Sequence, residues 1–212
     1  MTSIPLKPQY GPTLGRLLEP RWRAAPKMVR VVVVGIALAL VALAVGGALT
    51  LLDARYSHGG RVPFSFSYKG LYRTKPDPGG YVKVASTSSG RLRNSFAVAP
   101  IVLAPYTGSV TGELPLFAAG YIHTLERRFA GFKLEGEGKT RITSTLAGYD
   151  VRYTTLLDGR AMYGRDIMLM PPGQRVREGV AIEMLTDERA SVAKPVANSG
   201  ALETALKTFA FG

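Results

Sequence analysis

The sequence predicts an α+β fold: one transmembrane helix, then an antiparallel sheet packed with amphipathic helices. Three observations carry this. Val31 to Leu52 is an apolar run without a charged residue. Two later segments repeat apolar residues at spacings of three and four, the period of a one-faced helix. Between and around them lie several segments of strand character, two of them joined by Asp158-Gly159, a dipeptide suited to a two-residue hairpin turn.

The first 28 residues hold Pro5, Pro8, Pro12, Pro20 and Pro26. Proline at this density blocks helix and sheet alike, and the stretch is too short to bury a core. It reads as a disordered basic cytoplasmic tail. Arg21, Arg23, Lys27 and Arg30 are placed to rest on anionic headgroups at the inner surface, with Trp22 anchoring beside them.

Residues 29–52 are expected to cross the bilayer. The 22 residues from Val31 to Leu52 include 13 Val, Leu or Ile. As a helix they extend roughly 33 Å, against a hydrocarbon core of about 30 Å. Those 13 side chains favour insertion by about −5 kcal/mol. Val31, Ile36, Leu40, Val45 and Leu52 mark the expected membrane-spanning stretch. The apolar run exceeds the 7–15 residues of a secretory signal, and Leu49, Thr50, Leu51 and Leu52 after the small residues make a poor cleavage context. The run therefore reads as an uncleaved signal-anchor. Six Lys or Arg precede it against one Glu, while only Arg55 and Arg61 follow closely, so the positive-inside bias keeps the N-terminus in the cytoplasm and exports the C-terminal domain. Ala42 and Gly46 have the small-xxx-small spacing that would allow a weak homodimer.

Residues 53–61 read as a polar linker, and 62–212 as one extracytoplasmic domain. Val62 to Tyr68 alternates as a half-buried strand, with Pro63 at its entry. Leu71 to Thr74 is a short partner, and residues 75–80 form a turn. Val82 and Val84, then Phe96 to Leu103, suggest two further strands broken at Pro100. Glu113 to Gly131 is the clearest helix: Leu114, Phe117, Ala118, Tyr121, Ile122, Leu125 and Phe129 share a stripe, Thr111 or Gly112 starts it, Arg127 and Arg128 suit its C-terminal dipole, and Gly131 stops it. Strands follow at 132–137, 141–146, 149–157, 161–170 and 179–185.

A type I′ turn at Asp158-Gly159 pairs Leu157 with Arg160 and Thr155 with Met162. Continuing that register sets Val151 and Asp166 on one face and Ile167 and Leu169 on the other. Either a bulge at Gly164 shifts the phase, or the sheet is covered on both faces. Ser199 is expected to cap a last short helix carrying Leu202, Ala205, Leu206 and Phe209.

This order of elements, with the helix-then-Asp158-Gly159 meander and the ending Thr208-Phe-Ala-Phe211, resembles the PsbP-like fold. The resemblance covers about residues 61–212. It implies an α-β-α sandwich serving binding or assembly support, and it transfers no site residue.

No chemistry stands out. The chain has no Cys, which removes disulfides, thiol catalysis and thiolate metal sites. His58 and His123 have no ligand at useful spacing, so no metal or other cofactor is expected. Asp77 in its turn reads as solvated. No Gly-x-Ser-x-Gly elbow occurs. Gly138-Lys139-Thr140 lacks the first glycine of a phosphate loop, because Lys133 stands there. Glu135, Glu137, Asp150, Asp158 and Asp166 are read as surface charges, although any two could form a hydrolytic pair.

The net charge is +12, of which the exported part carries +7 from 21 basic and 14 acidic residues. Nucleic acid is not an expected partner outside the membrane. The reading is a non-enzymatic, single-pass envelope protein, in contact with the lipid bilayer, whose domain binds a partner protein or supports a membrane assembly. The alternatives are a binding module for anionic lipid or cell-wall polymer, and a hydrolase whose site residues are scattered.

Overall fold

The structure, a computed structural model, describes residues 26–51, 53–143, 146–172, 177–191 and 194–212; within the first of these stretches, side chains are described for 26–29 and 31–41. The chain divides into two compact units, 1–49 and 50–212.

The described residues of the first unit lie almost entirely in helix α1, whose range is Lys27–Leu51. Its described apolar side chains, among them Val31, Ile36 and Leu40, are exposed. Among the described residues no helix is long and apolar enough to cross a membrane. The span expected over 29–52 is therefore not supported there. Described side chains end at Val41, halfway along the charge-free run, and half the run is too short for a core of about 30 Å.

The second unit is α+β with antiparallel sheets. Its strands are β1 (Ala54–His58), β2 (Phe64–Tyr68), β3 (Tyr72–Thr74), β4 (Val82–Ser88), β5 (Arg91–Val102), β6 (Lys133–Arg141), β7 (Ala147–Leu157), β8 (Arg160–Leu169), β9 (Glu178–Thr186) and β10 (Ala210–Phe211). Helix α2 is Val110–Arg128 and helix α3 is Ala201–Lys207. Seven strands form one sheet in the order β3-β4-β5-β9-β8-β7-β6, and β1-β2-β10 form a second.

The β7–β8 hairpin follows the predicted register. Asp158 and Gly159 both take positive φ, 51° and 73°, as a type I′ turn requires. Leu157 faces Arg160, Thr155 faces Met162 and Val151 faces Asp166 in an unbroken ladder. No bulge occurs at Gly164. Instead the sheet is covered on both faces, so Ile167 and Met168 are each fully buried though they point in opposite directions.

One face packs against α2: Leu114, Ala118, Ile122 and Leu125 meet Val151, Tyr153, Met168 and Ala181. The helix starts at Val110 after Ser109, which makes no side-chain cap bond, one or two residues earlier than Thr111 or Gly112. The other face packs against the small sheet and α3, with Phe64, Phe66, Leu202, Leu206 and Phe209 lying over Phe96, Ile167, Leu169 and Ile182. Gly200, with φ +79°, occupies the N-cap of α3 in place of Ser199.

Three further sequence expectations need correction. Residues 53–61 are more than a linker, because β1 pairs with β2 from Ala54↔Tyr68 to His58↔Phe64, and His58 lies against Tyr81 with ring centroids 4.3 Å apart. Strand β5 runs through Pro100, which faces Val180 of β9; β4 has already ended opposite Val98, so the missing N–H orphans no neighbour on that side. Finally, residues 133–141 form one strand instead of two separated by a Gly-rich turn. A register shift between Leu134 and Gly136 leaves Glu135 as the extra residue of a bulge.

Candidate functional site

Two groups of polar side chains lie within the second unit. The first sits under α2, with Asp166 fully buried and Glu183 and Arg128 at its partly exposed rim. Asp166 of β8 and Glu183 of β9 are direct cross-strand partners on the face that α2 covers. Asp166 has no solvent exposure. Tyr121 on α2 is placed by the helical stripe to reach both carboxyls: its hydroxyl lies 2.9 Å from Asp166 Oδ2 and 3.2 Å from Glu183 Oε1. Tyr153 of β7 donates to Asp166 Oδ1 at 3.3 Å. Its ring has room because Gly164, directly opposite on β8, carries no side chain; a Cβ there would stand 2.2 Å from the ring.

Glu183 is held from the other side by Arg128, at the end of α2, whose Nη1 lies 2.9 Å from Oε2. Arg128 Nη2 then reaches Asp77 at 2.6 Å, and Asp77 also pairs with Lys83 at 3.2 Å.

Burial pushes the Asp166 carboxyl well above the usual carboxylate range, and the nearby charge of Glu183 pushes it further; the two tyrosine hydroxyls and Arg128 oppose the shift. Geometry gives the same answer. Tyr121 has one hydroxyl hydrogen and two carboxylate oxygens within reach. With a proton on Asp166, that acid donates to the Tyr121 oxygen and Tyr121 donates to Glu183, so every contact has its hydrogen. Both tyrosines are raised well above their ordinary values, first by burial and then by the carboxylates.

The second group lies on the opposite face, toward the β6 edge. A cleft of about 410 Å³ is floored by Arg152, Thr154 and Tyr163 from β7 and β8. One wall is Glu135 at the β6 bulge, and the other is the chain segment after β9, including Arg189, Ser191, Pro195 and Val196. Arg165, almost wholly buried, fixes both walls: it donates to Val196 O on one side and to Thr140 Oγ1 on the other, each at 3.2 Å. Its charge is met by Asp150 at 3.1 Å. Burial lowers the Arg165 pKa and Asp150 opposes that shift.

The sequence-predicted residues scatter. Among membrane-spanning candidates, Val31, Ile36 and Leu40 lie on α1 with exposed side chains, Val45 falls in the same helix with no side chain described, and Leu52 lies outside the described residues. Arg21, Trp22 and Arg23 also lie outside them; Lys27 opens α1, and Arg30, Ala42 and Gly46 fall in it without described side chains. His123 is exposed and pairs only with Glu126 at 3.0 Å. Among the described residues no cluster of His or carboxylates is arranged to hold a metal.

Of the five carboxylates read as surface charges, Glu135, Glu137 and Asp158 are exposed, whereas Asp150 and Asp166 are buried. The hairpin register puts Asp150 and Asp166 on opposite faces, and both faces of this sheet are covered. Sequence reasoning gives Glu183 no role, places Tyr121 only on the α2 stripe, and assigns neither Tyr153 nor Arg152 to a site. Glu183 had one available signal, an acid in the otherwise apolar β9 segment.

No protein-family model and no curated protein sequence matches the chain. Among solved structures, the chain is similar to PA94 from Pseudomonas aeruginosa, a protein of unknown function, at 13% identity and a TM-score of 0.39, covering 74% of this chain and 94% of that one. It is also similar to LpqN, involved in cell envelope biogenesis of Mycobacterium tuberculosis, at 11% identity and a TM-score of 0.39, covering 76% and 80% of the two chains. Likeness at this level carries no functional argument.

Proposed function

We propose that this chain is a single-pass, membrane-anchored envelope protein whose C-terminal α+β domain, of PsbP-like layering, binds a partner and performs no catalysis. The observation that carries the non-catalytic reading is the complete burial of Asp166, one member of the carboxylate pair. Asp166 has no exposure, and Tyr121, Tyr153 and Arg128 occupy the hydrogen-bonding positions around it and Glu183. A hydrolytic pair needs an open position for substrate and water; this one fastens α2 to the sheet. Anchoring rests on the charge-free run Val31 to Leu52, whose full length suffices for a bilayer. Orientation rests on the basic residues that precede it.

The test is co-purification of the full chain from its native membrane in mild detergent. A recurrent partner at fixed stoichiometry supports the binding role. Hydrolysis of a model ester or glycoside that is lost in Asp166→Asn would replace it with an enzymatic one.

A further inference from the structure

The open cleft is lined by two arginines whose positive charge is only partly met, and we propose that it binds an oxyanion, the phosphate or carboxylate group of an anionic ligand, between Arg152 and Arg189. Neither the anchoring of the chain nor the non-catalytic reading is needed for this.

Arg152 Nε is buried and has no hydrogen-bond partner. A buried donor left unmet costs free energy unless something fills the place. Its nearest carboxylate, Asp150, stands 3.8 Å away, beyond hydrogen-bond reach. Asp150 is already committed to Arg165, at 3.2 Å from Nε and 3.1 Å from Nη2. One carboxylate therefore serves two guanidinium groups.

Arg189, on the facing wall, has no ion pair among the described residues. Glu135 lines the cleft too, but its carboxylate is 3.1 Å from Lys133. The guanidinium fork of Arg152 lies over Gly136, where a Cβ would stand 3.2 Å from Nη2, so the backbone of β6 leaves space for the fork to sit flat. A planar guanidinium fork matches the paired oxygens of phosphate or carboxylate. Tyr163 adds a flat, half-buried wall beside them. The cleft volume falls in the range of small-molecule sites, about 300–1,000 Å³, so it admits a headgroup or small organic anion and not only a bare ion. Glu135 sets the orientation: a hydroxyl-bearing or uncharged part of the ligand faces β6, and the oxyanion faces the two arginines.

The test uses the full chain in a non-ionic detergent micelle, with the arginine Nε–Hε resonances followed by NMR. Inorganic phosphate, glycerol 3-phosphate and citrate are titrated separately at constant ionic strength. Phosphatidylglycerol and phosphatidylcholine are then compared in nanodiscs. The expected result is a saturable shift of Arg152 and Arg189 together, weakened about tenfold or more in Arg152→Gln and unchanged in Lys207→Gln, whose charge lies on α3. Arg189→Gln, on a surface segment, should weaken binding while leaving the fold intact, and serves if Arg152→Gln does not fold. Response to the soluble anions assigns a soluble ligand; response only to phosphatidylglycerol assigns a lipid headgroup; both support the site. The proposal is overturned if no probe gives a saturable shift, or if either arginine variant binds as wild type does.

Discussion

Asp166 occupies a place where an ionised carboxylate has no water and must share one tyrosine hydrogen with Glu183. Its elevated folded-state pKa exceeds the ordinary value of about 3.9. The folded chain therefore holds this proton more tightly than the unfolded chain. The sign follows: the group's contribution to stability is complete below about pH 4 and is lost as pH rises through the folded value. Asp166→Asn removes the ionisation but keeps the shape and an acceptor, so it should raise stability at pH 7–8 by about 1–2 kcal/mol, in line with neutral replacement of buried charge. The gain should shrink toward pH 4, as urea midpoints across that range will measure. Asp166→Ala should do the reverse at low pH, costing about 2–4 kcal/mol, because the Tyr153 hydroxyl loses its acceptor and the Tyr121 oxygen loses its donor.

Gly164 gives a second test at this scale. Its φ is not the issue; the ring of Tyr153 fills the side-chain position. Gly164→Ala forces that ring off Asp166 and should destabilise by about 1–3 kcal/mol, while the same change at Gly138, where a Cβ meets nothing within 4 Å, should have little effect. Neither Asp166 nor Gly164 announces these roles in the sequence. Period-two alternation assigns residues to two faces but does not say whether the second face is wet, and here the second face is covered by α2.

Elements whose information is local were legible. The helical stripe of α2 and the Asp158-Gly159 turn need only neighbouring residues; the stripe stands from Leu114 to Leu125, although the helix ends at Arg128 and not at Gly131, and the hairpin register is correct to the residue. Elements whose pairing is distant were not. β1 looks like a tether because Asp53 to His58 is polar on its exposed side, yet β2 supplies its partner. β6 looks broken because of Gly136 and Gly138, yet the long β7 beside it holds the edge together across a bulge. Pro100 breaks strands only where its N–H is wanted, and β4 stops two residues short of it.

β1 therefore makes a distinguishing prediction. Amides paired with β2 between Ala54 and His58 should exchange far more slowly than those of a free tether, read by hydrogen exchange at neutral pH. The small sheet is also tied down from the C-terminus. Phe209 is buried, stacks on Phe64 at 5.5 Å and meets Phe211 edge-on at 5.6 Å. Phe209→Ala should cost about 3–5 kcal/mol in thermal or urea unfolding.

For the molecule as a whole, the decisive quantity is the partition of residues 31–52 between lipid and water, because the proposed anchoring and the compartment the cleft faces depend on it. The 13 Val, Leu and Ile of that run favour insertion by about −5 kcal/mol, and an arginine near the centre of the span costs about 3 kcal/mol. Leu40→Arg alone should therefore leave the chain in the membrane pellet after alkaline carbonate extraction. Leu40→Arg combined with Leu43→Arg adds about 6 kcal/mol, which exceeds the gain, and should release it. Orientation is read on the same protein, because a chain without cysteine gives no background to thiol labelling. In intact cells a membrane-impermeant maleimide should modify Ser199→Cys and spare Thr2→Cys. The reverse pattern would place the domain in the cytoplasm, where soluble phosphorylated metabolites become the natural candidates for the arginine cleft. Labelling of both positions only after lysis, with the wild-type chain free of the carbonate pellet, would remove the anchor while leaving the cleft and its two arginines to be explained on their own.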